Sequence, residues 1–298
     1  MDLILYHGKC TDGWAAAYTY SKRYPHAALV PVSFSEPPPF ELVEGKDVLV
    51  VDFSWKTRAD NIKLSLLAKS FRILDHHKTA QALLEGLPFA TFDMKRSGAG
   101  LAWDYLFGID SVLDGQIGAT PRPWYINYVE DYDLWTKKLP DTDAINTYLR
   151  SLPHTKEAWD DLHGWVSEEE AATIGEGMLR QKNWEVETLA EMANKGQGWG
   201  CTIGVVNVPY ILASDLGHKL AETNDIGMTW YRRTDGLVIF SLRSIGDIDV
   251  SKIAAKMGGG GHKNAAGFEL PARQANDLLD DIVKAGPRPP RFPEGSEL

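Results

Sequence analysis

Within the first 94 residues short apolar runs alternate with helix-like stretches, and that alternation narrows the possible folds more than any other feature. The runs are "LILY" at 3–6, "AALVPVSF" at 27–34, "VLVVDFS" at 48–54, "FRILDHH" at 71–77 and "FATFDM" at 89–94. Between or after them lie "DGWAAAYTYSKRY", "KTRADNIKLSLLAKS" and "SGAGLAWDYLF". Strands that alternate with helices predict right-handed crossovers and a parallel sheet covered on both faces. A run such as "VLVV" suits a strand buried on both sides.

A second segment follows. A long helix is expected over about 167–194, opened by a capping box of Ser167 with Glu170 and stopped by Gly196 and Gly198. Beyond it, "CTIGVVNV", "GMTWYRR", "GLVIFSLRS" and a glycine run predict a smaller mixed α/β domain, and the last stretch is Pro-rich. The expected boundaries are therefore a domain over 1–165, a connector helix over 166–195, a second domain over 196–286 and a tail over 287–298. At 298 residues and 44% hydrophobic content, the chain can bury two medium cores.

Composition excludes several classes. Two cysteines, Cys10 and Cys201, make no disulfide framework, and no leader or membrane-length apolar run is visible, so a cytoplasmic protein without a membrane partner is expected. The net charge is −10, concentrated in the first two thirds, which argues against coating long DNA or RNA. Clustered carboxylates can instead hold divalent cations and so admit a small phosphorylated substrate.

Those carboxylates fall where open parallel sheets bind ligands, at the carboxyl ends of the strands. The first strand ends at His7, the strand over "VLVVDFS" delivers Asp52, and "FRILDHH" delivers Asp75, His76 and His77. "YVEDYDLW" adds Glu130, Asp131 and Asp133. Singly, Asp52 reads as a turn residue or helix cap and His7 as a hydrogen-bonded turn histidine. Two imidazoles and a carboxylate at one strand tip are harder to satisfy without a ligand.

Together "HGKCTDGWAAA", Asp52 in "VVDFS", "DHH" at 75–77, "EDYDLW" and "GGGGHKNAAGF" resemble the DHH/DHHA1 phosphoesterase superfamily over about residues 3–270. Its members include RecJ-type exonucleases, oligoribonucleases, cyclic-dinucleotide phosphodiesterases and family II pyrophosphatases; the opening motif is most similar to the oligoribonuclease-like, exopolyphosphatase-related branch. The resemblance implies a parallel-sheet DHH domain joined by a long helix to a mixed α/β DHHA1 domain. It also implies two Mn²⁺ ions, with Mg²⁺ or Zn²⁺ as substitutes. Asp52 would bridge them, His76, Asp131 and Asp12 would hold one, and His7 would hold the other. His77 would face the substrate phosphate, oriented by Asp75, and Asp133 stands in reserve for Asp131. Cys10 falls where many relatives carry an aspartate; it either ligates, lines the site or is an inert packed thiol.

The resemblance extends to the second domain. Gly258 to Gly261 with His262 read as an anion cradle on one view and as a tight turn on the other. The motif favours the cradle, with Gly259, Gly260, Gly261 and His262 on substrate. Arg243, ending an apolar strand, would grip a phosphate, and Lys78 would assist. Ser214 and His218 are further candidates, Ser97 and Gly98 offer a helix start, and Trp14, Trp55 and Trp135 are candidates for base stacking. Two ions would acidify a water and neutralise charge at phosphorus. The expected function is hydrolysis of phosphodiester bonds in short oligonucleotides or dinucleotides by a monomer or homodimer. The alternatives are a polyphosphate or pyrophosphate hydrolase, and an inactive nucleotide-binding regulator.

Overall fold

The computed structural model describes residues 1–34, 36–108 and 122–284; the expected tail at 287–298 lies outside them. The chain divides into two compact units, Met1–Arg180 and Gln181–Leu298. Among the described residues no helix is long and apolar enough to cross a membrane.

The first unit runs β1 (Leu3–His7), α1 (Thr11–Arg23), β2 (Ala28–Val32), α2 (Phe40–Val43), β3 (Asp47–Val51), α3 (Arg58–Leu67), β4 (Ser70–Asp75), α4 (Lys78–Leu83) and β5 (Ala90–Phe92). Four helices follow, α5 (Gly98–Phe107), α6 (Trp124–Asp133), α7 (Thr142–Ser151) and α8 (Lys156–Trp165), and then the long α9 (Glu168–Glu191), which continues into the second unit. The sheet order is β2-β1-β3-β4-β5 and every pairing is parallel, as the alternation predicts. Period-two burial explains why strands form here. Leu3, Leu5, Val48, Val50 and Ile73 enter one core with Val43, Leu64 and Leu84. Ile4, Tyr6, Leu49, Val51 and Leu74 enter the other with Ala15, Ala16, Leu101, Ile126 and Trp159. Each such aliphatic side chain contributes about 1.5–3 kcal/mol on burial. Local signals set the helix starts: Thr57 caps α3, and Ser167 and Glu170 exchange hydrogen bonds ahead of α9.

The second unit holds β6 (Asn194–Gly198), β7 (Cys201–Asn207), α10 (Tyr210–Ala221), β8 (Ile226–Arg232), β9 (Leu237–Arg243), α11 (Val250–Lys256), β10 (Gly260–His262), β11 (Ala265–Pro271) and α12 (Ala272–Lys284). Its sheet is mixed, in the order β10-β11-β9-β8-β7-β6, with β7 and β8 parallel across the α10 crossover. Ile203, Met228, Phe240, Leu242, Phe268 and Ile282 build its core. The expected helix over about 167–194 ends earlier, at Glu191, and the segment 194–198, with the glycines expected to stop it, is an edge strand paired antiparallel to β7.

Candidate metal centre

In the order 2-1-3-4-5 the chain reverses its direction of travel between β1 and β3, and ligands bind at the carboxyl ends beside such a reversal. His7 is the last residue of β1, Asp52 follows β3, and Asp75, His76 and His77 close β4. Asp52 has φ 56°, in the left-handed region that costs a residue with a Cβ about 1–2 kcal/mol. Its amide still donates to Leu74 O at 2.9 Å, so the strained residue stays in register with β4. A Cβ on Gly98 would come within 2.5 Å of Asp52 Cβ and 2.8 Å of Asp12 Oδ2, so only glycine lets the first turn of α5 approach this closely.

The side chains converge. His76 Nε2 lies 3.1 Å from Asp52 Oδ1, 3.6 Å from Asp12 Oδ2 and 3.5 Å from Asp133 Oδ2. His7 Nδ1 lies 3.3 Å from Asp52 Oδ2. Donor atoms of His7, Cys10 and Asp52 fall within 4.8 Å of one another, and so do those of Asp12, His76 and Asp133. Asp52 thus touches the histidines of both groups. Asp12 also works elsewhere: its carboxylate accepts the backbone N–H of Gly98 and, at 2.9 Å, that of Ala99. With Ser97 Oγ accepting from Gly100 at 3.1 Å, the start of α5 is occupied by the protein's own groups.

Crowding of like charge sets the electrostatics. Burial, then Asp133 and Asp52, push the Asp12 carboxyl well above its ordinary range, and burial pushes Asp133 up as well. Burial opposes charge on Asp52 too, but His7 and His76 outweigh it and hold that carboxyl well below the usual value. Burial likewise opposes charge on His76, yet Asp52, Asp133 and Asp12 raise its imidazole well above normal. Burial and Asp52 push the Cys10 thiol up. His7 Nδ1 and Asp52 Oδ2, 3.3 Å apart, are buried and have no other hydrogen-bond partner among the described residues. Buried carboxylates that repel each other, beside donor atoms left unsatisfied, fit a divalent cation with oxygen and nitrogen ligands.

Asp75 Oδ1 accepts the backbone N–H of His76 at 2.7 Å and His77 Nδ1 at 2.7 Å. That bond orients the His77 ring. Burial opposes protonation of His77, but the Asp75 carboxylate prevails and raises its pKa. Lys78 opens α4 directly after it, exposed.

Asp131 is a correction. Its carboxylate accepts Thr136 Oγ1 and Thr142 Oγ1 together with the backbone N–H groups of Lys138 at 2.9 Å and Leu139 at 3.0 Å. Fully engaged as a clamp on the turn after α6, it does not join the cluster; Asp133, the last residue of α6, stands beside His76 instead. Base stacking is corrected at two positions, because Trp14 and Trp55 are buried in the cores. Trp135 instead stacks under Lys137 Nζ at 3.8 Å.

In the second unit, His262 pairs with Ala265, and Ala265 with Arg243, across β10, β11 and β9. Directly paired residues share a sheet face, so imidazole and guanidinium flank one alanine. Arg243 donates to Ser214 Oγ at 3.1 Å and to Leu242 O at 2.9 Å. The glycine run opens in a turn at Gly258, with φ 82°, and continues as a strand: Gly260 and Gly261 are strand residues, and Gly261 has φ 141° with a neighbouring strand 2.5 Å from where a Cβ would stand. Gly259 precedes that strand, and a Cβ there would meet Gly267 O at 2.0 Å.

Residues 210–285 match the sequence model of the family described as DHHA1 domain. Among curated relatives, the chain is 29% identical to Uncharacterized protein R106 of Acanthamoeba polyphaga mimivirus, over 90% of this chain and 67% of that protein. It is 28% identical to Oligoribonuclease NrnB of Bacillus subtilis (strain 168), over 67% of this chain. The match spans about half of NrnB, 52%. A solved structure of RecJ from Thermus thermophilus in complex with Mn²⁺ superposes with TM-score 0.52 at 18% identity, covering 95% of this chain and 51% of RecJ. PggH, a pGpG-specific phosphodiesterase from Vibrio, superposes with TM-score 0.52 at 11% identity, covering 95% and 98%. These likenesses show a shared fold.

Proposed function

Starting from a chain that belongs to the DHH/DHHA1 phosphoesterase superfamily, we propose that it is a metal-dependent hydrolase of phosphodiester bonds in short oligonucleotides or dinucleotides. The observation that carries this reading is the cluster at the tips of β1, β3 and β4, where His7, Asp12, Asp52, His76 and Asp133 crowd together with donor atoms unsatisfied. Divalent ions held there supply charge neutralisation at phosphorus and acidify the attacking water. The protein's own groups do the rest. Asp52, held ionised by His7 and His76, offers a carboxylate to a cation. His77, with Nδ1 anchored on Asp75 and its pKa raised, carries a proton at Nε2 for a phosphate oxygen or the departing alkoxide.

In the second unit, the guanidinium of Arg243 and the imidazole of His262 flank Ala265, an arrangement suited to a terminal phosphate. The short-substrate reading is supported by the net charge of −10 and by the name of the relative NrnB, an oligoribonuclease. The test incubates purified protein with Mn²⁺, Mg²⁺ or Zn²⁺ and a panel of di- to pentanucleotides, cyclic dinucleotides and polyphosphate, with products separated by chromatography. Mononucleotide release from the short oligonucleotides is expected. Cleavage confined to polyphosphate would move the activity to phosphoanhydrides, and tight binding without turnover under every ion would make the protein a regulator.

A further inference from the structure

The two donor groups that meet at Asp52 differ in chemical character. Asp12, His76 and Asp133 offer only oxygen and nitrogen, whereas His7, Cys10 and Asp52 include a sulfur. Cys10 stands at the N-cap of α1, with the Gly13 N–H directed at its thiol. An inert packed cysteine would sit among apolar side chains, but Cys10 has an imidazole nitrogen and a carboxylate oxygen within 4.8 Å. His7 Nδ1 and Asp52 Oδ2 are buried 3.3 Å apart and have no other hydrogen-bond partner among the described residues, and Asp52 is 1% exposed.

We propose that the pocket of His7, Cys10 and Asp52 takes a thiophilic divalent ion such as Zn²⁺ or Co²⁺, while Asp12, His76 and Asp133 take a hard ion such as Mn²⁺. The inference rests on the metal-centre reading above and adds a selectivity to it. Thiolate and imidazole favour zinc and cobalt, and carboxylates favour manganese or magnesium, so the two donor groups would have opposite preferences. The working centre is then mixed, and supplying a single metal species fills it imperfectly.

The test is spectroscopic and needs no substrate. Metal-free full-length protein is titrated with Co²⁺ and the near-ultraviolet sulfur-to-cobalt charge-transfer band is followed. The band should saturate at one equivalent, persist in Cys201→Ser, and vanish in Cys10→Ser and Cys10→Asp. In dialysis against equal Zn²⁺ and Mn²⁺, the wild type should retain one of each, while Cys10→Asp should lose zinc affinity by at least about tenfold. A Co²⁺ complex without the band, or a band lost in Cys201→Ser, overturns the selectivity and leaves the metal centre standing. Failure of the wild type to bind any ion removes the metal centre and this inference together. If a Cys10 variant does not fold, the wild-type and Cys201→Ser spectra alone decide.

Discussion

Two charged clusters lie against the start of α5, and they bury charge in opposite ways. In one, Arg96 and Arg122 share Asp104 and Glu130, with contacts of 2.6 to 3.2 Å, and Glu130 also accepts the backbone N–H of Ser97 at 3.1 Å. Each acid there faces two guanidinium groups. In the other, one turn away, Asp12, Asp52 and Asp133 surround His76 and repel one another. The balanced network is complete as folded and serves the framework. The unbalanced one gathers acids that repel one another, and that imbalance is the ground for proposing it as a metal site.

The sharpest way to break this contrast is Asp52→Ala. Removing the residue that touches the histidines of both donor groups should lower the proposed phosphodiesterase activity by more than about 10³-fold, since metal ions contribute several kcal/mol of charge stabilisation. Divalent-ion binding to the variant, followed by calorimetry, should be lost as well; binding at the wild-type stoichiometry would assign Asp52 to the framework. The pair Asp131→Ala and Asp133→Ala repeats the contrast within a single helix. Asp131→Ala orphans two threonine hydroxyls and two amides and should cost about 2–4 kcal/mol in urea unfolding. Asp133→Ala should leave unfolding unchanged and weaken Mn²⁺ binding measured by calorimetry. Glu130→Gln, in the balanced network, should cost about 1–3 kcal/mol while bound-metal stoichiometry stays at the wild-type value.

The smallest effect is expected at a residue outside both clusters. His154 stacks on Trp14 with ring centroids 5.7 Å apart, and burial lowers its pKa. The folded state then binds its proton less readily than the unfolded chain. Its penalty is absent at neutral pH and grows as pH falls through the unfolded histidine value of about 6.5. Melting temperatures should therefore decline from pH 7 to pH 5 slightly less in His154→Gln than in wild type; identical slopes would show that the ring is not desolvated.

The sequence made the parallel sheet legible because apolar runs with polar ends report burial directly. His7, Asp52 and "DHH" were legible because strand tips are fixed by those same runs. Asp131 and Asp133 were not separable, since residues two apart on a helix point about 200° away from each other and only tertiary packing decides which direction is inward. The turn holding Thr136, Lys138, Leu139 and Thr142 claims Asp131, and none of those residues announces that in the sequence. The strand at 194–198 was hidden because "NKGQG" has no β-branched residue, and its pairing with β7 supplies what its composition lacks. Trp55 suggested an aromatic platform by position, whereas its ring packs against Phe53 inside the core.

The carboxylate of Asp12 ties the cage to the framework, because the amides of Gly98 and Ala99 hang on it. A strain or loosening anywhere along that helix is thereby delivered to the ion pocket as a shift of one of its walls. Hydrogen exchange at those two amides becomes a gauge of the cage, slowing when a cation settles in and quickening when it leaves.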